Sequence, residues 1–252
     1  MNIYRVIVAA WVAVLGQVSE VHARSIENLS EPETVQLPVF EAFFPTQTHT
    51  DENAELILLW EFPSDCFFDS RVTVRVNDVD QSVWVQVSAK YFDTHFCGIA
   101  VLPQVEAVDL GRLKAGNYTA WDSASGTTGK KLGTLRVSKR MGNAPTWVQT
   151  DEIEFFDGKH ARIRGMLPAS CGGPREFRAQ ETATRFVEVF PYAPTNNCSG
   201  ELQPWSRDFE IPIDPNRSTV VWARSSGRNR LAVYSPFLSG FGPSQGRHEE
   251  SK

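Results

Sequence analysis

The sequence predicts an all-β protein made of two copies of one sandwich domain, and two observations predict it. Apolar residues alternate with polar ones over short segments, and no helical periodicity lasts for ten residues. In addition, the residue pattern from Cys97 to Trp121 returns from Cys198 to Trp222, with a proline six residues after each cysteine. A repeat at about 100 residues in a chain of 252 residues indicates two domains of ordinary size.

The cysteines divide evenly between the two copies. Phe62-Pro63-Ser64-Asp65-Cys66 matches Leu167-Pro168-Ala169-Ser170-Cys171, an apolar-Pro-x-x-Cys phrase in each case. Four cysteines allow three disulfide pairings, and we expect Cys66–Cys97 and Cys171–Cys198 because only bonds within a copy leave each domain independent. The alternative use of four cysteines, a zinc site, is disfavoured because no C-x-x-C spacing occurs. Paired cysteines indicate an oxidising compartment.

The N-terminus is typical of a secretory signal peptide. Arg5 precedes an apolar run from Val6 to Leu15, and small residues occupy the positions of Val21 and Ala23 before a cleavage site. A membrane anchor is the alternative, but ten apolar residues fall short of the roughly twenty that cross a bilayer. We therefore expect a signal peptide at 1–23, export to the periplasm or the medium, and no membrane-spanning segment.

The first predicted domain covers residues 37–138, after a flexible segment at 24–36. Its expected strands are Leu37–Phe44, Leu56–Trp60, Arg71–Val76, Val83–Val87, Val105–Leu110, Asn117–Asp122 and Leu132–Val137. The uninterrupted apolar run Leu56–Trp60 predicts a strand buried on both faces. Because Val83, Val85 and Val87 share one face, Trp84 lies on the other, where it is either covered by another element or contacts a partner.

The second predicted domain covers residues 146–238, after a linker at 139–145 and before a disordered tail at 239–252. Its expected strands are Glu152–Phe156, His160–Leu167, Thr184–Phe190, Arg207–Ile213, Thr219–Arg224 and Arg230–Tyr234. A linker this short restricts the relative motion of the domains. Cutting it is nevertheless expected to release two separate fragments.

Three phrases carry a resemblance to a known class of domain. They are the apolar-Pro-x-x-Cys phrase, Leu110-Gly111-x-Leu113-x-Ala115-Gly116-x-Tyr118 and Leu132-Gly133-Thr134-Leu135-x-Val137. Over residues 37–238 the chain resembles the immunoglobulin-like (Ig-like) β-sandwich domains of uncharacterised exported bacterial proteins. The resemblance implies two tandem Ig-like sandwiches and an export route, and no activity. Trp121 and Trp222 depart from the antibody pattern, because they follow the second cysteine instead of lying between the two.

Charge and motifs exclude several classes of function. Residues 24–138 carry nine basic and sixteen acidic side chains and residues 139–238 carry thirteen and eleven, which disfavours nucleic-acid binding. Histidines are few and no nucleophile motif occurs, so we predict no catalytic residue and no cofactor. Asn77-Asp78-Val79-Asp80 and the acids Asp51, Glu52 and Glu55 have ligand types that suit calcium, but a tight turn also selects the former, and we predict no metal.

The sequence therefore predicts an exported, non-enzymatic binding or structural protein. Its partner is an unknown protein or a component of the cell envelope, and nucleic acid is not expected. Four residues are the candidate partner contacts: Trp84, Arg162, Arg164 and Arg185. The arginines could meet carboxylates or phosphates, or they could be solvated strand residues. The alternative hypothesis is a secreted enzyme, or an accessory or inhibitor module of one.

Overall fold

The structure is a computed structural model that describes residues 31–46, 48–92, 97–98, 101–125, 129–140, 147–174, 176–183, 185–192, 198–212, 214, 218–226 and 229–234. The predicted signal peptide at 1–23, residues 141–145 of the predicted linker and the predicted tail at 239–252 lie outside them. Among the described residues, no helix is long and apolar enough to cross a membrane.

The described chain is all-β, as predicted, with only two short 3-10 turns at Ser123–Ser125 and Ala169–Cys171. The first nine strands are β1 (Glu33–Leu37), β2 (Glu41–Phe43), β3 (Thr48–His49), β4 (Ala54–Phe62), β5 (Phe67–Asn77), β6 (Ser82–Tyr91), β7 (Leu102–Gly111), β8 (Gly116–Asp122) and β9 (Lys130–Ser138). The other seven are β10 (Gln149–Phe155), β11 (His160–Pro168), β12 (Glu176–Ala183), β13 (Phe186–Tyr192), β14 (Leu202–Glu210), β15 (Thr219–Ala223) and β16 (Arg230–Tyr234). We call β1–β9 unit 1 and β10–β16 unit 2.

Each unit contains two sheets. In unit 1, one edge of β6 pairs with β8 at residues 82–85 and with β1 at residues 87–91, and its other edge pairs with β5. Sheet 1A continues from β8 to β9 and β3, and sheet 1B has the order β2-β4-β7. In unit 2, sheet 2A has the order β12-β13-β15-β16 and sheet 2B has the order β10-β11-β14. Sheets 1B and 2B thus have corresponding strands in the same order. The order β5-β6-β8-β9 in sheet 1A likewise corresponds to the order β12-β13-β15-β16 in sheet 2A.

Both larger sheets contain a parallel pair. β6 pairs with β8 in parallel, and β13 pairs with β15 in parallel at the corresponding place. Immunoglobulin sandwiches are built from two antiparallel sheets, so this pairing departs from the Ig pattern. The departure was not predicted, since the direction of a strand relative to a non-adjacent strand leaves no mark on the alternation of residues.

Three apolar clusters arrange the four sheets as a stack of layers. The first lies between sheets 1A and 1B and includes Trp60, Val85 and Tyr118. The second lies between sheets 2A and 2B. The third joins the units, because Ile57 and Leu59 of sheet 1B pack with Phe186, Val220 and Trp222 of sheet 2A. The order of the layers is therefore 1A, 1B, 2A, 2B.

The position of a layer accounts for the residue pattern of its strands. β4 lies in an inner layer, and its residues from Leu56 to Trp60 are all buried, which confirms the predicted strand with two buried faces. β13 and β15 are inner strands as well and are buried almost throughout. By contrast, β6 in an outer layer alternates buried valines with partly exposed residues. A strand alternates where one of its faces meets water.

The disulfides Cys66–Cys97 and Cys171–Cys198 form as predicted, each within one unit. The hairpin of β5 and β6 is also confirmed, with Val74 opposite Val85. Two strand predictions were wrong. The chain enters sheet 1A at Glu33, so the expected flexible segment at 24–36 ends inside β1, and the expected strand Leu37–Phe44 is divided between β1 and β2. β12 was missed because its sequence, EFRAQETA, lacks apolar alternation.

Candidate functional site

In the described part of the chain, two sheet faces lie at the ends of the stack without another sheet on them. One is the outer face of sheet 2B and the other is the outer face of sheet 1A. The predicted contact residues fall on opposite ends: Arg162 and Arg164 on sheet 2B, and Trp84 on sheet 1A. The two faces differ in whether their cations form ion pairs with carboxylates of the described residues, and that difference identifies the candidate site.

On the face of sheet 2B, the arginines are neutralised by neighbouring strands. Arg162 donates from Nε and Nη2 to the two carboxylate oxygens of Asp208, at 2.6 and 3.0 Å. Arg164 donates to Glu152 at 3.2 Å and to Glu154 at 2.6 Å. The hydrogen bond from Arg162 holds the pKa of Asp208 below its ordinary value. Carboxylates of neighbouring strands therefore already bind both arginines.

On the face of sheet 1A, one row of side chains crosses four strands. Arg75 on β5 is the register partner of Trp84 on β6, Trp84 is the partner of Trp121 on β8, and Trp121 is the partner of Lys131 on β9. The indoles stack with ring centroids 5.8 Å apart and planes inclined by 20°. We call Arg75, Trp84, Trp121 and Lys131 the indole row. Three strand spacings make it about 14 Å long.

The cations around the indole row have no ion pair among the described residues. Arg71 and Arg136 extend the positive charge of Arg75 and Lys131, and all four side chains are exposed. The outward positions from Arg71 on β5 to Arg136 on β9 carry no carboxylate; they are otherwise Thr73, Asn77, Ser82, Gln86, Ser88, Asn117, Thr119 and Thr134. The nearby Asp69 is paired with Lys90 at 3.2 Å. Unit 1 is acidic as a whole, so this face is an exception to its charge.

Buried polar contacts fix the chain beside the two indoles. Asp122, at the end of β8, is fully buried and accepts hydrogen bonds from the backbone N–H groups of Val39 and Ala124, at 3.1 and 2.9 Å. Ser123 donates to the carbonyl oxygen of Val85 at 2.8 Å. Gly129 has a φ of 61°, and a Cβ there would lie 2.9 Å from Cζ3 of Trp84. The backbone therefore closes against one edge of the Trp84 ring.

The corresponding face of unit 2 is the interface between the units. By strand register, Trp222 stands where unit 1 has Trp121, and Glu188 stands where unit 1 has Trp84. Phe186, Val220 and Leu231, which surround Trp222, correspond to Ser82, Thr119 and Lys131. The face of sheet 1A thus keeps its aromatic centre, whereas its surroundings are polar and cationic.

Polar contacts at the interface engage Glu52 and Glu55, two of the three acids that suggested a calcium site. Arg224, only 3% exposed, donates to Glu52 at 2.6 Å, and its guanidinium lies over the rings of Trp147 and Trp222 at 5.2 and 5.0 Å. Trp222 donates to Glu55 at 2.8 Å. Thr46 donates its backbone N–H and its hydroxyl to buried Glu188. These contacts hold the two units together.

Two further segments singled out in the sequence analysis, Arg185 and the residues from Asn77 to Asp80, lie in hydrogen-bonded turns. Arg185 lies in the turn before β13, where its carbonyl oxygen accepts a hydrogen bond from the backbone of Val220 at 2.7 Å. The side-chain oxygen of Asn77 accepts hydrogen bonds from the N–H groups of Val79 and Asp80, at 2.9 and 3.3 Å, as in an Asx turn. No group of three or more potential metal ligands is close together among the described residues.

Sequence reasoning identified Trp84 and overlooked the rest of the indole row. The alternation in β5 already placed Arg71 and Arg75 on the face opposite the valines, so this part of the signal was available. Trp121 and Lys131 join the row through the parallel pairing of β6 with β8.

No protein family, curated protein or solved structure matches this chain.

Proposed function

We propose that this chain is an exported, non-enzymatic binding protein and that the outer face of sheet 1A is its binding surface. The observation that carries the proposal is the indole row: two stacked tryptophans between cations that no described carboxylate neutralises. Tryptophan and arginine supply much of the binding energy where proteins recognise partners. Both indoles are only partly buried, so the pair keeps aromatic surface that a partner can contact.

Export is supported by the two disulfides, which persist in oxidising compartments, and by the N-terminal segment read as a signal peptide. We further propose that the two units are a tandem duplication of one Ig-like sandwich. The repeated sheet order and the repeated position of the parallel pair support the duplication. The likeness to Ig domains then concerns the number of strands and layers rather than their pairing.

Binding to fractionated cell-envelope material tests the proposal. The exported chain, immobilised, should retain a component of the polysaccharide or protein fraction in a saturable way. The double variant Trp84→Ala/Trp121→Ala should lose that binding, whereas Phe156→Ala, which removes an aromatic ring that is 49% exposed on another surface, should keep it. Circular dichroism and disulfide mapping of each variant check that the fold is retained.

Two results would contradict the proposal. Binding that persists in the tryptophan double variant would place the site elsewhere. Reproducible turnover of a hydrolase substrate, abolished by substitution of a single Asp, Glu or His, would establish the enzyme hypothesis instead.

A further inference from the structure

We propose that the ligand of the sheet 1A face is an acidic polysaccharide, one that carries carboxylate or sulfate groups. This inference rests on the proposed function, because it names the ligand class of the same surface. Three properties of the face support it: its polarity, the form of its aromatic centre and the placement of its cations.

The polarity of the face argues against a folded protein as the partner. The chain itself shows what protein docking requires of this face, since unit 2 uses Phe186, Val220 and Leu231 around Trp222 to pack on sheet 1B. Unit 1 has Ser82, Thr119 and Lys131 at those positions. The cores of protein interfaces are depleted in serine and lysine. Hydroxyl and amide side chains on this sheet face instead match the hydroxyl groups of a sugar polymer.

The aromatic centre suits a pyranose ring. The C–H groups on one face of such a ring are slightly positive and pack on the electron-rich face of an indole, as the positive edge of an aromatic ring does. Trp84 and Trp121 stack on each other and form one apolar ridge with 5.8 Å between ring centroids. A nucleic-acid base can stack on the same indole face, so oligothymidylate is one of the probes in the titration below.

The cations supply the preference for acidic sugars. Arg75 and Lys131 lie at the two ends of the indole row, so a polymer that crosses the ridge meets a positive charge on each side. Arg71 and Arg136 widen this charge, and all four side chains are exposed and free of ion pairs among the described residues. Guanidinium and ammonium groups bind carboxylates and sulfates by charge-assisted hydrogen bonds.

Titration of the exported chain with defined polymers tests the inference. Polygalacturonate and heparin are the carboxylated and sulfated probes, and comparing them distinguishes the two sources of negative charge. Dextran is the neutral sugar, polyglutamate the polyanion without sugar, and oligothymidylate the nucleic acid. We expect one of the two acidic polysaccharides to bind about tenfold or more tightly than dextran, polyglutamate and oligothymidylate. Binding should weaken as salt rises.

Two variants with matched controls assign the binding to the face. Arg75→Gln/Lys131→Gln should weaken it about tenfold or more and reduce its salt dependence, whereas Lys139→Gln/Lys159→Gln, with the same loss of charge at exposed positions, should not. Trp121→Ala should weaken it about tenfold or more, and Trp121→Phe should restore part of the affinity. The exposed positions of Arg75 and Lys131 make that pair informative even if a tryptophan variant fails to fold.

The results that would contradict the ligand class differ from those that would contradict the proposed binding function. Equal binding of dextran, polyglutamate or oligothymidylate would overturn the ligand class. So would tryptophan-dependent binding that appears only in the protein fraction of the envelope, which leaves the proposed function in place. Absence of tryptophan-dependent binding to any probe and any fraction overturns both.

Discussion

At the scale of single residues, Arg224 needs the most compensation for its burial, because it is a cation that is almost fully buried between the units. Glu52 compensates it at 2.6 Å, and two indoles cover its guanidinium. Its Nε and Nη2 have no hydrogen-bond partner among the described residues. A buried cation in this position depends strongly on its carboxylate partner, because water cannot take over that role.

Substitution of Glu52 tests this dependence. We expect Glu52→Gln to lower the free energy of unfolding by about 3 kcal/mol, since it removes the carboxylate that Arg224 contacts at 2.6 Å and leaves this buried cation only its charge interaction with Glu188. The control is Asp208→Asn, which breaks the exposed ion pair with Arg162 and should cost about 1 kcal/mol or less. Urea unfolding of both variants measures the difference. Equal losses would show that burial at the interface gives the Glu52–Arg224 pair no special weight.

Glu188 makes stability depend on pH. Burial raises its pKa above the ordinary value, against the opposing effects of its hydrogen bonds from Thr46 and the charge of Arg224. The folded state therefore binds this proton more tightly than the unfolded state. The cost of the charged form is complete at pH values above the raised pKa, and it is relieved as pH falls through the raised pKa toward the ordinary one.

Glu188→Gln should remove this dependence. As pH falls from 7.5 toward about 4.5, the wild type should gain stability relative to the variant, because only the wild type takes up the proton. Denaturant unfolding across that range measures the difference, with Glu210→Gln on an exposed position as the control. A constant difference between wild type and Glu188→Gln would contradict the raised pKa.

At the scale of strands, corresponding positions in the two units are used differently. Ile57 and Leu59 on β4 correspond to Arg162 and Arg164 on β11, two strands that each precede the apolar-Pro-x-x-Cys phrase by the same spacing. The first pair is buried at the interface and the second is ion-paired at the surface. The face of sheet 2B thus ends the stack.

A matched pair of alanine variants measures this contrast. Leu59→Ala should lower the free energy of unfolding by about 2–5 kcal/mol, because it opens a cavity between sheets 1B and 2A. Arg164→Ala at the corresponding position should change it by about 1 kcal/mol or less. Thermal or urea unfolding of the two variants measures both changes in stability. A small effect of Leu59→Ala would mean that the units do not depend on this interface.

The strand pattern determined how far the sequence could predict the fold. Clean alternation identified β5 and β6, and the continuous apolar run identified β4 as an inner strand. β12 was missed because its residues have no apolar alternation. The partner of Trp84 could not be predicted, since it depends on the parallel pairing that brings Trp121 alongside. The interface was equally hidden, because a run such as Val220–Trp222 shows that a strand is buried and not which sheet buries it.

At the scale of the whole molecule, the interface changes what a break between the units should do. The sequence alone suggests that cutting between them releases two fragments. The packing of Phe43 on Phe186, with centroids 4.9 Å apart, and the Glu52–Arg224 pair join the units without the linker. The units should therefore behave as one cooperative body.

A protease site placed between Arg140 and Trp147 tests this expectation. After cleavage, the two fragments should remain associated in size-exclusion chromatography under native, non-reducing conditions. They should separate in denaturant without reduction, because each disulfide lies within one unit. The same cleavage in the Leu59→Ala background is expected to release the fragments at lower denaturant concentration. Spontaneous separation of the wild-type fragments would contradict the account of the interface.

Hydroxyl-radical footprinting of the chain with polygalacturonate or heparin tests most directly the proposal that the outer face of sheet 1A is the binding surface. Oxidation of Trp84 and Trp121 is read by mass spectrometry, and Phe156 and Met166 of unit 2 report on the opposite end of the stack. We predict that saturating polysaccharide protects both tryptophans and leaves Phe156 and Met166 unchanged. Protection of Phe156 and Met166 with unaltered oxidation of the two tryptophans would contradict the claim.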